Sequence, residues 1–249
     1  MKQQNGDIFV SVITVCYNSE KTIERTLQSV LQQTYQNYEY IIIDGKSQDD
    51  TLRIVKSYEE KFCGKMRIVS EPDNGIYDAM NKGIRMASGE LIGMINSDDY
   101  YETDAIEVMT KEYSKEREKY AILYGFQRNY EEEKEISCVL YHHDYLKRQM
   151  ITHPTCFVTK AVYEDFGAFN LKYKSSADYE FMMRIYDTGK VKFYPVYRVI
   201  ANFQMGGMSS SQIGYRETLA LQYKHGGLSK SRYIRTVIKS RIYEMIHGR

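Results

Sequence analysis

A chain of 249 residues can form one large domain with a real core, or one domain with a small appendage, and the second suits this sequence better. Lys and Arg total 34 against 33 Asp and Glu, a net charge of +1, which argues against non-specific nucleic-acid binding through a general basic surface. The cysteines Cys16, Cys63, Cys138 and Cys156 are too far apart for a zinc site or a redox dithiol, and read as reduced, mostly buried residues of a cytosolic protein. Residues 1–7 lead into a strand-length apolar stretch instead of a signal-peptide core, and no run reaches membrane-spanning length, so a soluble or peripheral protein is expected.

Phe9–Val15 is apolar and β-branched at nearly every position, as a strand covered by helices on both faces would be. Asn18 or Ser19 offers an N-cap, and Ile23, Leu27, Val30 and Leu31 share one face of a helix over 20–33. A second strand, Tyr38–Ile43, runs into Asp44, and a turn rich in Asp, Gly and Ser leads to a helix carrying Leu52, Val55, Tyr58 and Phe62. Met66–Val69 is a third strand, Glu71–Gly75 a loop, Ile76–Ala87 a helix stopped by Gly89, and Leu91–Ile95 a fourth strand. This alternation predicts an α/β fold with a mainly parallel, nucleotide-binding type of sheet flanked by helices. Thr103–Lys119 reads as a charged amphipathic helix, and Glu131–Glu133 as an exposed turn between strands within a less regular stretch, Ile122–Tyr141. Val158–Phe166 and Tyr179–Tyr186 read as helices, Val191–Phe203 as two short strands separated by Pro195, and the chain beyond Ser209 as helical. The expected organisation is a domain over 1–210, changing character near residue 102, and a helical extension over 211–249.

The chemistry concentrates where strands end. In Asn96-Ser97-Asp98-Asp99 two adjacent carboxylates follow the fourth strand, and in open α/β sheets ligands bind beyond the carboxyl ends of strands. Asp44 repeats the pattern. Carboxylates favour hard cations such as Mg²⁺ or Mn²⁺, which are held by one or two of them together with substrate phosphates. A metal-bridged diphosphate is one reading; the other is that Asp98 and Asp99 merely begin a loop and cap the next helix. Asp78 and Lys82, four apart, share a helix face.

Val12-Ile13-Thr14-Val15-Cys16-Tyr17-Asn18, the segment 43–51 (IDGKSQDDT), the segment 71–83 (EPDNGIYDAMNKG) and Asn96–Asp99 occur in an order and spacing that resembles family 2 glycosyltransferases, enzymes of the GT-A fold. The resemblance covers residues 9–210. It implies a nucleotide-sugar-binding half followed by an acceptor half, with Thr14 against the nucleotide base and Asp44 accepting a hydrogen bond from it. A carboxylate there suits the N3 donor of uracil, hence a UDP-linked sugar. Asp98 would contact the ribose or the metal shell, and Asp99 would coordinate Mn²⁺ or Mg²⁺. Asp78 and Lys82 would border the ribose and diphosphate, or else form an ordinary ion pair. Asn96 stands where the family more often has an acid, making the metal shell less negative. The family's catalytic base belongs to a Glu-Asp pair before an amphipathic helix; here Ala177-Asp178 matches, so Asp178 inherits the role of base in a single inverting displacement while the preceding acid is missing. Glu180 is the backup, two positions on and turned to a different face. His153 matches an acceptor-cleft position, although a lone histidine is more often structural. Gly206–Ser209 is either a mobile loop over the donor or a turn.

The chain has no tryptophan and so lacks the Gln-x-x-Arg-Trp motif of processive synthases; one sugar per encounter is expected. By analogy with bacterial relatives, the acceptor would be a lipid-linked saccharide in surface polysaccharide biosynthesis. Residues 229–249 carry six basic residues and one acid, with apolar residues at helical spacing, which suits a membrane surface, or packing on the catalytic domain or on a second subunit. Three other functions compete. A sugar-phosphate nucleotidyltransferase would begin with a glycine-rich, Arg-containing phosphate loop, which Cys16-Tyr17-Asn18-Ser19 is not. A glycoside hydrolase would use paired carboxylates without a metal-diphosphate site. A non-catalytic nucleotide-sugar-binding module would account for the missing acid before Asp178.

Overall fold

The computed structural model describes residues 7–206 and 211–247. Four strands, β1 (Val10–Cys16), β2 (Tyr38–Asp44), β3 (Met66–Ser70) and β4 (Leu91–Met94), run parallel in the order β3-β2-β1-β4. Helices α1 (Ile23–Leu31), α2 (Thr51–Ser57) and α3 (Ile76–Met86) connect them. The side-chain alternation of β1 explains why both faces must be covered: Val10 and Val12 enter one apolar core, Ile13 and Val15 the other.

Beyond β4 the parallel expectation gives way to a mixed sheet. A short strand β5 (Tyr100–Tyr101) and helix α4 (Ala105–Tyr113) precede the hairpin β6 (Ala121–Glu131) and β7 (Lys134–Val139), which turns at the acidic triplet as expected. The expected helix to Lys119 stops earlier, and Arg117 takes a positive φ of 42° just beyond it. The segment expected as one helix over 158–166 splits into strand β8 (Phe157–Thr159) and helix α5 (Lys160–Phe166); β8 inserts antiparallel between β4 and β6. Helix α6 (Ala177–Tyr186) follows. The two strands expected around Pro195 are one long strand, β9 (Lys192–Gln204), parallel to β6, with register shifts just after Pro195.

Two helices, α7 (Gln212–Lys224) and α8 (Lys230–His247), end the described chain. Helix α7 is not a loose appendage, because Leu221 is fully part of the core that α3 and α6 share. Cys16 and Cys156 are buried, but Cys63 and Cys138 are exposed, so burial does not explain half of the thiols; all four are free.

Candidate active site

The carboxyl ends of β1 and β4, the first turn of α3 and the start of α6 enclose a cavity of about 750 Å³. Its wall includes Cys16–Thr22, Asp49, Asp73, Asn96, Asp98, Lys174 and Asp178. The Asn96–Asp99 turn is pinned to α1: the Thr26 hydroxyl donates to the Asp99 carbonyl at 2.6 Å, Arg25 donates to the Asp98 carbonyl at 2.9 Å, and the Ser97 and Ser19 hydroxyls meet at 2.8 Å. This sets the two acids differently. Asp98 lies on the cavity wall, and burial lifts its carboxyl above the usual range against the pull of Arg25. Asp99 is fully buried; one oxygen accepts from the Gln204 backbone N–H at 2.9 Å and the other is buried without a partner. Burial, and then the neighbouring Asp98 charge, push its carboxyl well above the usual range. The cavity wall therefore includes the Asp98 carboxylate and Asn96, whose oxygens are donors of the kind that suit a hard divalent cation.

Asp178 is the second residue of α6 and also lines the cavity. Its Oδ1 accepts from the Tyr77 hydroxyl and from the Tyr179 N–H, both at 2.9 Å. Tyr77, in the first turn of α3, is buried, and burial followed by the Asp178 charge pushes its phenol strongly upward, so it stays a donor. The helix starts at Gly75, whose φ of 106° and ψ of 171° belong to a region essentially reserved for glycine. His153 shares the wall, its ring packed edge-on against Phe169 at 5.6 Å, and burial holds its imidazole below the usual value with Asp178 opposing.

Other expected site residues lie off the wall. Thr14 is fully buried, its hydroxyl 2.9 Å from that of Tyr40 on the neighbouring strand, so it has no surface to offer a base. Asp44 is also fully buried: Ser47 Oγ donates to it at 2.5 Å, Ser47 N at 3.2 Å and Ser70 Oγ at 2.6 Å. It closes the turn that carries Asp49 to the cavity. Asp78 and Lys82 do not pair with each other. Asp78 accepts from Asn74 N at 3.0 Å, while Lys82 donates to the Pro72 carbonyl at 2.7 Å and meets Glu71 at 2.9 Å, so together they stitch the 71–78 loop. Glu180 is buried against Arg184 at 3.0 Å, and Arg184 in turn holds the 166–168 carbonyls; it is a structural ion pair away from the cavity. Of the glycine segment after β9, Gly207–Ser209 lies outside the described residues. Sequence reasoning missed Tyr77, Lys174 and Ser175. Tyr77 could have been singled out as the one ring hydroxyl inside the motif 71–83; the other two carry no comparable signal.

The family model described as Glycosyl transferase family 2 matches residues 11–191. Among curated relatives, chondroitin synthase of Escherichia coli is 30% identical over 188 residues, covering 74% of this chain and 27% of that protein. A PGL/p-HBAD biosynthesis glycosyltransferase of Mycobacterium tuberculosis is 26% identical over 203 residues, covering 81% of this chain and 79% of its own. The chain thus spans about a quarter of the chondroitin synthase and most of the mycobacterial enzyme. Two solved structures share the fold: S. aureus TarS 1-349 with UDP-GlcNAc, at TM-score 0.70, 19% identity and coverage of 96% of this chain and 73% of that one, and the Pyrobaculum calidifontis mannosyltransferase PcManGT with GDP-Man and Mn²⁺, at TM-score 0.65, 18% identity and coverage of 96% and 70%. With its match over most of the chain and a GT-A sheet ending in this cavity, the protein belongs to glycosyltransferase family 2.

Proposed function

We propose that this glycosyltransferase moves one sugar, with inversion at the anomeric carbon, from a UDP-linked donor to a saccharide acceptor. The observation that carries the reading is that the Asn96–Asp98 oxygen set and the Asp178 carboxylate line the same cavity, whose volume of about 750 Å³ suits a nucleotide-sized ligand. A Mg²⁺ or Mn²⁺ held by Asp98 and Asn96 would offset the negative charge that develops on the leaving diphosphate. Asp178 takes the proton of the acceptor hydroxyl as that oxygen attacks, and Tyr77 fixes the carboxylate's orientation through Oδ1. Solved neighbours of the same fold carry UDP-GlcNAc in one case and GDP-Man in another, so the nucleotide is the point to test. A thermal-shift panel of UDP, GDP, dTDP and CMP, each with Mn²⁺ and with EDTA, should give its largest stabilisation with UDP and Mn²⁺. A larger shift with GDP corrects the nucleotide, and no shift with any of them removes the donor-site reading.

We infer further that the acceptor saccharide is lipid-linked and that α8 rests on an anionic membrane, as in surface polysaccharide assembly. Among the described residues no helix is long and apolar enough to cross a membrane. Helix α8 packs on α7 through Tyr233 stacked on Tyr223, Ser240 bonded to Gln212, and Glu244 paired with Arg216 at 2.8 Å. The remaining circumference exposes Ile234, Ile238, Ile242, Met245 and Ile246, with Ile238 at 53% and Met245 at 78%. At 3.6 residues per turn these five share one face, flanked by Lys230 and Arg241 on one side and by Arg232 and Lys239 on the other, with Arg235 inside the stripe. Apolar side chains between two basic rows fit a bilayer interface, where each Lys or Arg contributes about 1 kcal/mol toward anionic lipid. Vesicles containing phosphatidylglycerol should co-sediment the parent at low salt and release the double variant Ile238→Asp/Ile242→Asp. Equal binding of both, or binding of neither, contradicts this placement.

A further inference from the structure

The approach to the helix that bears Asp178 is held from outside the region matched by the family model. That region ends at residue 191, whereas Glu217 lies in the middle of α7. Glu217 Oε1 accepts the backbone N–H of Lys174 at 2.8 Å, and its Oε2 accepts those of Ser175 at 2.9 Å and Ser176 at 3.0 Å. Three consecutive N–H groups thus converge on one carboxylate. Ser176 is the N-cap residue of α6, yet its own side chain makes no capping bond. Its hydroxyl turns instead to α7, 3.2 Å from the Gly214 carbonyl and 3.1 Å from the Thr218 hydroxyl. Beside the first-turn Asp178, a second anion at this helix N-terminus is therefore supplied by another helix, through the segment that leads into it. The two elements meet so closely that a Cβ on Gly214 would stand 2.4 Å from Ser175 Oγ. Lys174, Ser175 and Asp178 all line the cavity, so what fixes 174–176 also fixes that wall.

We propose that Glu217 is a positioning residue for glycosyl transfer: by binding the 174–176 amides it sets the start of α6 and hence the placement of Asp178, making α7 an integral part of the catalytic unit. The proposal rests on the reading of Asp178 as the base. It deepens that reading by giving the base a support that the family match does not contain. A carboxylate is needed because three N–H donors call for acceptor capacity at both oxygens; a glutamine offers one acceptor oxygen and turns an NH₂ toward the remaining N–H groups.

The test compares Glu217→Ala and Glu217→Gln in the full chain, each with and without Asp178→Asn. The readouts are amide hydrogen exchange at 174–176, donor dissociation constant and transfer rate, measured below the onset of unfolding. In Glu217→Ala the three amides should exchange roughly tenfold faster or more while the β1 and β2 amides do not change. Its kcat should fall about 10- to 100-fold, as expected when a reacting group is displaced on the scale of an ångström, with donor affinity unchanged. Glu217→Gln, nearly isosteric and so the safer variant for folding, should fall between parent and alanine in both readouts. In the Asp178→Asn background the alanine change should cost little more, because the two act as one unit. Unchanged exchange at 174–176 overturns the proposal, as does faster exchange with an unchanged transfer rate, or a full additional loss on top of Asp178→Asn. If Asp178→Asn alone leaves transfer intact, the base reading fails, while the exchange data still report whether Glu217 holds the loop.

Discussion

Replacing Asp44 with alanine removes a carboxylate with no exposed surface that gathers Ser47 N, Ser47 Oγ and Ser70 Oγ around its two oxygens. The family resemblance implies contact with the nucleotide base, in which case the fold would survive its loss; the alternative is a turn-capping aspartate. Its hydrogen bonds tie it to the turn. Hydrogen bonds to a charged acceptor contribute about 1.5–3 kcal/mol each, so three set an upper range of roughly 4.5–9 kcal/mol. Ser70 is exposed and Ser47 half-buried, so water recovers part of that loss, and about 2–4 kcal/mol is the expected destabilisation. Asp44→Asn, which keeps one acceptor oxygen, should lose about half as much. Urea denaturation reads this directly: at a slope of about 2 kcal/mol per molar, the alanine midpoint should fall by roughly 1–2 M. UDP affinity should weaken in parallel, because the same turn delivers Asp49 to the cavity. An unchanged midpoint with a tenfold or greater loss of UDP affinity would refute this reasoning and return Asp44 to direct contact with the ligand.

Two further outcomes follow from the cavity wall. Tyr77→Phe removes the hydroxyl bonded to Asp178 and should lower kcat by roughly tenfold with donor affinity unchanged, measured by UDP release; equal loss of binding would mean that the phenol supports the donor instead. For His153, burial lowers the folded-state pKa, so the unfolded chain takes up protons first; the stability it contributes is present above its ordinary value near 6.5 and is lost as pH falls through the lower folded value. Urea midpoints of the parent should therefore drop from pH 8 to pH 5 more steeply than those of His153→Gln, and parallel slopes would rule out this linkage.

The N-terminal sheet was legible because each residue of β1 and β2 has a covered face, so Val10, Val12, Ile13 and Val15 all had to be apolar. The later half was less so, for identifiable reasons. Strand β8 is three residues long, too short to show a period, and it is followed at once by α5, so the two read as one helix. Pro195 looked like a break because it cannot donate to a ladder, yet β9 carries it next to register shifts against β6, where proline is tolerated. Within the site, the pattern located the Asn96–Asp99 turn but could not say which acid faces the cavity. Adjacent turn residues diverge, and the anchoring of the turn by Thr26, Arg25 and Ser19, with Gln204 N holding the Asp99 carboxylate, accompanies a placement with Asp98 on the wall and Asp99 off it. The mutual ion pair weighed for Asp78 and Lys82 does not form, since each finds a nearer group in the 71–74 loop. Glu217 was invisible for a different reason: it acts across about forty residues of sequence, through backbone N–H groups that carry no residue identity.

The most direct test of the account is the transfer rate of Asp178→Asn set beside that of Glu180→Gln, with donor affinity measured for both by calorimetry. Asp178 faces the cavity from the first turn of α6, whereas Glu180 is buried against Arg184. The account predicts that Asp178→Asn binds the donor as the parent does but turns over roughly 10²- to 10⁴-fold more slowly, the loss expected for a general base. Glu180→Gln should lose stability and keep its turnover. Transfer by Asp178→Asn within a few-fold of the parent would contradict the assignment of the base, and with it the mechanism proposed for this cavity.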